Sequence, residues 1–174
     1  MLTVFILANH DAKALGRTLN ALISASVDGL VREVLVVAED TNDVASKLAD
    51  DAGCNLVHPS QFPSVLKAAK GEWLMILQAG SLPEHGWAEA VGNHIESGGQ
   101  TVRFTRSPLS PRNFIERLFK AEQPLALGLL IEKAVVLKLD QAVLSSAEIL
   151  ASATKPKTMP AALRPASNAH PDAA

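Results

Sequence analysis

The sequence predicts an α/β domain: a mostly parallel open sheet with helices on both faces. Three observations carry this. The runs Leu2–Ala8, Val34–Val37 and Trp73–Leu77 have the length of strands and are almost wholly apolar, as strands buried on both faces of a parallel sheet are. Stretches of helical period lie between them. Turn formers punctuate the alternation at Asp28-Gly29, Gly53, Pro59, Gly71 and Gly98-Gly99. Strands alternating with helices at this spacing form βαβ units, whose right-handed crossovers bring the carboxyl ends of the strands to one edge.

The elements follow in order. Leu2–Ala8 is the first strand. Asp11 opens a helix whose Leu15, Leu19, Leu22 and Ile23 share one face. Val34–Val37 is the second strand, and Thr41 or Asn42 caps a second helix that stops at Gly53. Asn55–His58 is a short strand closed by Pro59, and Pro63 begins a helix through Ala69. Trp73–Leu77 is the fourth strand, followed by the loop Gln78-Ala79-Gly80-Ser81. A helix carries Trp87, Val91 and Ile95, and Val102 and Phe104 alternate with Arg103 and Thr105 in a half-exposed strand. Arg112–Lys120 reads as a basic amphipathic helix, Leu125–Ile131 as an apolar strand, and Lys133–Leu137 and Ser145–Ala153 as helices. Four prolines fall among Ala, Ser and Lys after Thr154, so residues 1–153 are expected to form one domain and 154–174 a disordered Pro/Ala-rich tail.

Composition narrows the function. The 174 residues are 48% apolar with 4% aromatic and no Tyr, so the core is aliphatic. A net charge of −2 argues against nucleic-acid binding. Residues 1–100 carry 6 Lys/Arg against 12 Asp/Glu, and the remainder 10 against 6. The single Cys54 excludes an intramolecular disulfide and a Cys-rich zinc site. The apolar start lacks a basic n-region, and no run has the ~18 apolar residues of a membrane span. A cytoplasmic protein is expected.

Neither G-x-G-x-x-G nor G-x-x-x-x-G-K-[ST] occurs, nor G-x-S-x-G. No two of the five His have the i, i+4 spacing of a helical metal site. Ligands of open α/β sheets bind beyond the carboxyl ends of the strands. That places a site on Ala8–Asp11, Ala38–Asp43 and Gln78–Ser81.

The ordered pieces resemble the family 2 glycosyltransferases of GT-A fold. Leu2–Asp11 with Ala14–Leu19 is similar to the family's first strand, turn and helix. Val31–Val37 resembles its second strand, which leads to an Asp-rich turn, here Ala38–Asp43. Lys70–Leu77 resembles the strand before the metal-binding Asp-x-Asp, Gly86-Trp87 the motif after it, and Gly128–Ile131 a late strand. The resemblance implies transfer of a sugar from a nucleotide sugar to a saccharide or lipid-linked acceptor. It places the nucleotide at Ala8, Asn9, Asp11, Glu39, Asp40, Gln78 and Gly80, and the catalytic base at Glu148. It also exposes departures. Gln78-Ala79-Gly80 stands where Asp-x-Asp is expected, and Ala38 where an Asp binds the nucleobase. A neutral amide and a glycine are poor donors to Mg²⁺ or Mn²⁺, which take anionic oxygens. No metal ligand and no cofactor is therefore expected, and Arg103, Arg106 or Arg112 is the candidate counter-charge to a diphosphate. Arg112–Lys120 reads as a cover for the sheet edge, with contact to a membrane surface as its alternative. A GT-A-like module that binds without catalysing is the alternative to the transferase.

Overall fold

The computed structural model describes residues 1–8, 10–39, 44–110 and 123–166. Asn9, Asp40, the Thr41 or Asn42 cap and the helix expected over Arg112–Lys120 lie outside them. Eight strands form one sheet in the order β3-β2-β1-β4-β7-β6-β8-β5. They are β1 (Leu2–Leu7), β2 (Val31–Val37), β3 (Asn55–Val57), β4 (Trp73–Gln78), β5 (Leu82–Pro83), β6 (Val102–Arg106), β7 (Leu129–Glu132) and β8 (Lys157–Arg164). The helices are α1 (Ala12–Val27), α2 (Val44–Asp51), α3 (Phe62–Ala68), α4 (Trp87–Glu96), α5 (Lys133–Val136), α6 (Gln141–Leu144) and α7 (Ala147–Thr154). Pairs β1–β2, β1–β4, β2–β3 and β6–β8 are parallel. Pairs β4–β7, β5–β8 and β6–β7 are antiparallel.

Side-chain alternation divides the core between the two faces. On one face Val4, Ile6, Met75 and Leu77 pack with Leu15 and Leu22 of α1 and Val91 of α4. On the other, Phe5, Leu74 and Ile76 pack with Leu66 of α3, Leu144 of α6 and Leu150 of α7. Helices thus cover both faces, as the apolar runs predict.

The amino-terminal edge is fastened by a polar knot. Thr3 Oγ1 donates to Glu33 Oε1 at 2.9 Å and accepts from Gly71 N at 2.8 Å, while Lys70 N donates to the same carboxylate at 2.6 Å. Burial alone pushes the Glu33 carboxyl up. The Lys70 backbone N–H, the Thr3 hydroxyl and the Lys70 ammonium outweigh it and hold the group below its ordinary value.

Two expectations need correction. The disordered tail is a strand over Lys157–Arg164: Met159, Ala161 and Leu163 are buried, and β8 joins β5 to β6. Pro160 fits because the pairing passes from Arg103↔Thr158 to Thr105↔Ala162, which leaves it in an irregularity opposite Phe104 where no ladder N–H is needed. Only 167–174 of the expected tail lies outside the described residues. The strand expected over Leu125–Ile131 begins at Leu129, because Gly128 takes φ +64° and turns the chain into it. Among the described residues no helix is long and apolar enough to cross a membrane.

Candidate functional site

The parallel topology brings the carboxyl ends of β1, β2 and β4 together. Ala8 N donates to Val37 O at 2.9 Å, Ala38 N to Val57 O at 3.0 Å, and Ala79 N to Leu7 O at 2.9 Å. These bonds carry the ladder one residue past each strand and fix where the loops leave the sheet. A cavity of about 250 Å³ opens there. Leu7, Ala8 and His10 form one side, and Val37, Ala38 and Glu39 another. Phe62 and the Ser145–Ala147 entry to α7 close it. Its walls are chiefly apolar, with polar groups only at a few points, as in small-molecule sites.

Of the residues read from the sequence, Ala8 and Glu39 line this cavity. Asn9 and Asp40 lie outside the described residues. Asp11 caps α1, its Oδ1 accepting from Ala14 N at 3.0 Å. Gln78 and Gly80 belong to the neighbouring turn, which α1 holds in place. Gly80 N donates to Thr18 Oγ1 at 2.9 Å, and the Thr18 hydroxyl donates to Ser81 O at 3.0 Å. Gly80 has φ +94°, and a Cβ there would sit 3.3 Å from the Ala14 Cβ and 3.5 Å from that of Ala166. The position thus combines an unfavourable φ with tight surroundings.

Glu148 and Gln78 meet although 70 residues separate them. Gln78 Nε2 donates to Glu148 Oε1 at 3.2 Å and to Gln123 Oε1 at 3.4 Å. The other oxygen of Glu148 accepts from Leu125 N at 3.1 Å. The resemblance implies a catalytic base at Glu148, and the structure shows a carboxylate that ties α7 to the tip of β4 and to the start of the Leu125–Gly128 turn. Gln123 and Leu125 had no signal in the sequence as parts of the site, because their contact depends on where the turn before β7 falls. His10, within the Ala8–Asp11 segment, also lines the cavity.

At Gln78 and Gly80 the donors are not the carboxylates that the resemblance implies for a divalent cation. Gln78 turns its amide N–H toward Glu148 and Gln123, and Gly80 offers no side chain. Among the described residues no three His, Cys, Asp or Glu side chains gather where they could hold a metal ion. Arg103 and Arg106 lie on β6 and line neither this cavity nor the second one described below. Arg106 Nη1 donates to Ser110 O at 3.1 Å. Arg112 lies outside the described residues. Cys54 is half-buried, and burial raises its thiol above the ordinary value, which disfavours the reactive thiolate.

No family model matches the sequence, and no curated relative matches it. Solved structures do. One is glucosyl-3-phosphoglycerate synthase from Mycobacterium tuberculosis in complex with Mn²⁺, UDP and glucosyl-3-phosphoglycerate. It aligns with TM-score 0.70 and 17% identity over 98% of this chain and 73% of that one. Mannosyl-3-phosphoglycerate synthase from Rubrobacter xylanophilus aligns with TM-score 0.67 and 13% identity, over 97% of this chain and 67% of that one. At these identities the likeness is one of fold: the chain has the curled open sheet and flanking helices of the GT-A-like glycosyltransferases.

Proposed function

We propose that the chain is a family 2-like, nucleotide-sugar glycosyltransferase-type protein that seats a nucleoside in the Leu7–Ala8 and Val37–Glu39 cavity without the usual cation. The observation that carries this is the place of the cavity. It lies beyond the carboxyl ends of β1 and β2, where open α/β sheets bind ligands. The GT-A-like neighbours include one in complex with Mn²⁺ and UDP-glucose, which makes a nucleotide sugar the ligand class to test. The apolar walls suit a base and ribose, and Glu39, His10, Ser145 and Ser146 are the polar residues at hand. A diphosphate extending toward β4 meets the Gln78 amide, with Glu148 the one carboxylate beside it among the described residues. Phosphoglycerate, named with the same neighbours, represents the saccharide-precursor type of acceptor, and a lipid-linked acceptor is its alternative.

Glu148 is the base in this reading. Transfer breaks the bond between the sugar and the nucleoside diphosphate, forms one to an acceptor oxygen, and moves the acceptor proton to the base. A carboxylate offers about four lone-pair sites, so the hydrogen bonds from Gln78 and Leu125 leave room for that proton. A second reading rests on the same pair: if Glu148 only ties α7 to β4, the protein binds nucleotides and does not transfer.

Thermal shift with UDP, GDP and their sugars is the test, together with an assay of sugar release. Ser145 is exposed and lines the cavity, so Ser145→Trp places an indole across its mouth. Stabilisation by a nucleotide that Ser145→Trp abolishes supports the site, and sugar release lost in Glu148→Gln supports transfer. Nucleotide stabilisation without release supports the binding module. No stabilisation by any nucleotide refutes both.

A further inference from the structure

A second cavity, of about 430 Å³, lies between α1, β5, the carboxyl end of β8 and the loop at Leu109. It shares no lining residue with the first. Arg17, Asn20, His85 and Arg164 bring polar groups to it, and among the described residues Glu84 is its one acid. That acid is already engaged: its Oε1 accepts from Ser107 Oγ at 2.5 Å and lies 3.4 Å from Arg164 Nη2. Arg17 has no ion-pair partner among the described residues, and the described lining carries two arginines against one carboxylate. The Arg164 side chain is 43% exposed, so its guanidinium remains open to the groove beside its contact with Glu84. The other walls are apolar. Leu82 and Pro83 form part of the lining, and Leu109 does so while 72% exposed.

We infer that this groove binds a small organic anion, with its phosphate or carboxylate between Arg17 and Arg164 and its apolar body against Leu82, Pro83 and Leu109. Arginine suits the head group because its fixed fork of N–H donors matches two oxygens at once. The apolar wall distinguishes such a ligand from a free inorganic ion. The position is not arbitrary. Thr18, next to Arg17 in sequence, holds the Gly80-Ser81 turn, and β5 follows that turn directly. An anion between Arg17 and Arg164 therefore bridges α1 to the β5–β8 pair.

The test is an NMR titration of the whole chain with phenyl phosphate, inorganic phosphate and benzoate at constant ionic strength. Saturable shifts at Arg17, Asn20, His85 and Leu109 are expected. Phenyl phosphate should bind tighter than inorganic phosphate, and benzoate shows whether a carboxylate serves as the head group. Arg17→Ala should weaken phenyl phosphate about tenfold or more, the loss of charge-assisted hydrogen bonds. The melting temperature should not change, because Arg17 is exposed. Arg17→Lys should recover part of the affinity. Unsaturable shifts, shifts at Ala8 and Glu39 instead, or equal binding by Arg17→Ala would overturn the proposal.

Discussion

Replacing Glu148 by Ala and by Gln separates its structural role from its chemical one. In Glu148→Ala, Leu125 N loses its acceptor at 3.1 Å and Gln78 Nε2 its acceptor at 3.2 Å. Leu125 is fully buried and Gln78 half-exposed, so water can replace the second bond but not readily the first. An orphaned amide in such a place costs about 1–3 kcal/mol. The acidic side chain also sits in the first turn of α7, where the helix dipole adds roughly 0.3–1 kcal/mol. The loss in Glu148→Ala should therefore be about 2 kcal/mol, or a melting temperature lowered by about 4–8 °C for a chain of this size. Glu148→Gln keeps an oxygen for Leu125 N, and a turn of the Gln78 amide presents an oxygen to the new N–H. Its loss should be under about 1 kcal/mol, mostly the dipole contribution. Urea denaturation of the three proteins measures both values. Equal losses in the two variants, or a loss below about 0.5 kcal/mol in Glu148→Ala, would refute the tether.

Other perturbations probe the rest of the scaffold. A Cβ at position 71 would lie 2.5 Å from Thr3 N and 2.8 Å from Leu2 C; Gly71→Ala must move backbone and should cost about 1–3 kcal/mol or more, read as a lower urea midpoint. Leu163 is fully buried, so Leu163→Ala should cost about 2–5 kcal/mol; a loss below 1 kcal/mol would mean that β8 is not part of the core. Glu33 has a folded-state value below its ordinary one, so it stabilises the fold above the ordinary carboxylate range. That contribution disappears as pH falls through the lowered value. The melting curves of the parent and Glu33→Gln should differ near neutral pH and converge in acid.

How legible each element was depended on whether its signal was local. β1, β4 and the Val34–Val37 part of β2 read directly, because strands paired on both sides within a covered sheet are almost wholly apolar there, while Val31–Glu33 of β2 carries Arg32 and Glu33 and gave no such signal. The α1 boundary was equally plain, since Asp11 both stops the strand run and caps the helix. β8 was hidden. Its inward residues Met159, Ala161 and Leu163 alternate with Thr158, Pro160 and Ala162, and the proline and alanines read as a linker. Only the irregular pairing against Phe104 makes the proline acceptable. β5, two residues long, exists because β8 offers it a partner. The same division holds at the site. Ala8, Glu39 and Gln78 follow from strand ends, which the sequence marks. The meeting of Gln78 with Glu148 depends on how α7 docks, and the second groove on Arg17 and Arg164, 147 residues apart in sequence, reaching one cavity, which no local pattern reveals.

The proposal that the carboxyl edge of the sheet holds a nucleotide without a cation rests on Gln78 and Gly80, which stand where the resemblance implies acids, and on Gln78 being turned toward Glu148. Calorimetric titration of the whole chain with UDP, first in EDTA and then in Mn²⁺, tests it most directly. The account predicts saturable binding in EDTA, a dissociation constant unchanged within about twofold in Mn²⁺ (under ~0.5 kcal/mol), and loss of binding in Ser145→Trp. Binding that appears only with Mn²⁺ would contradict it.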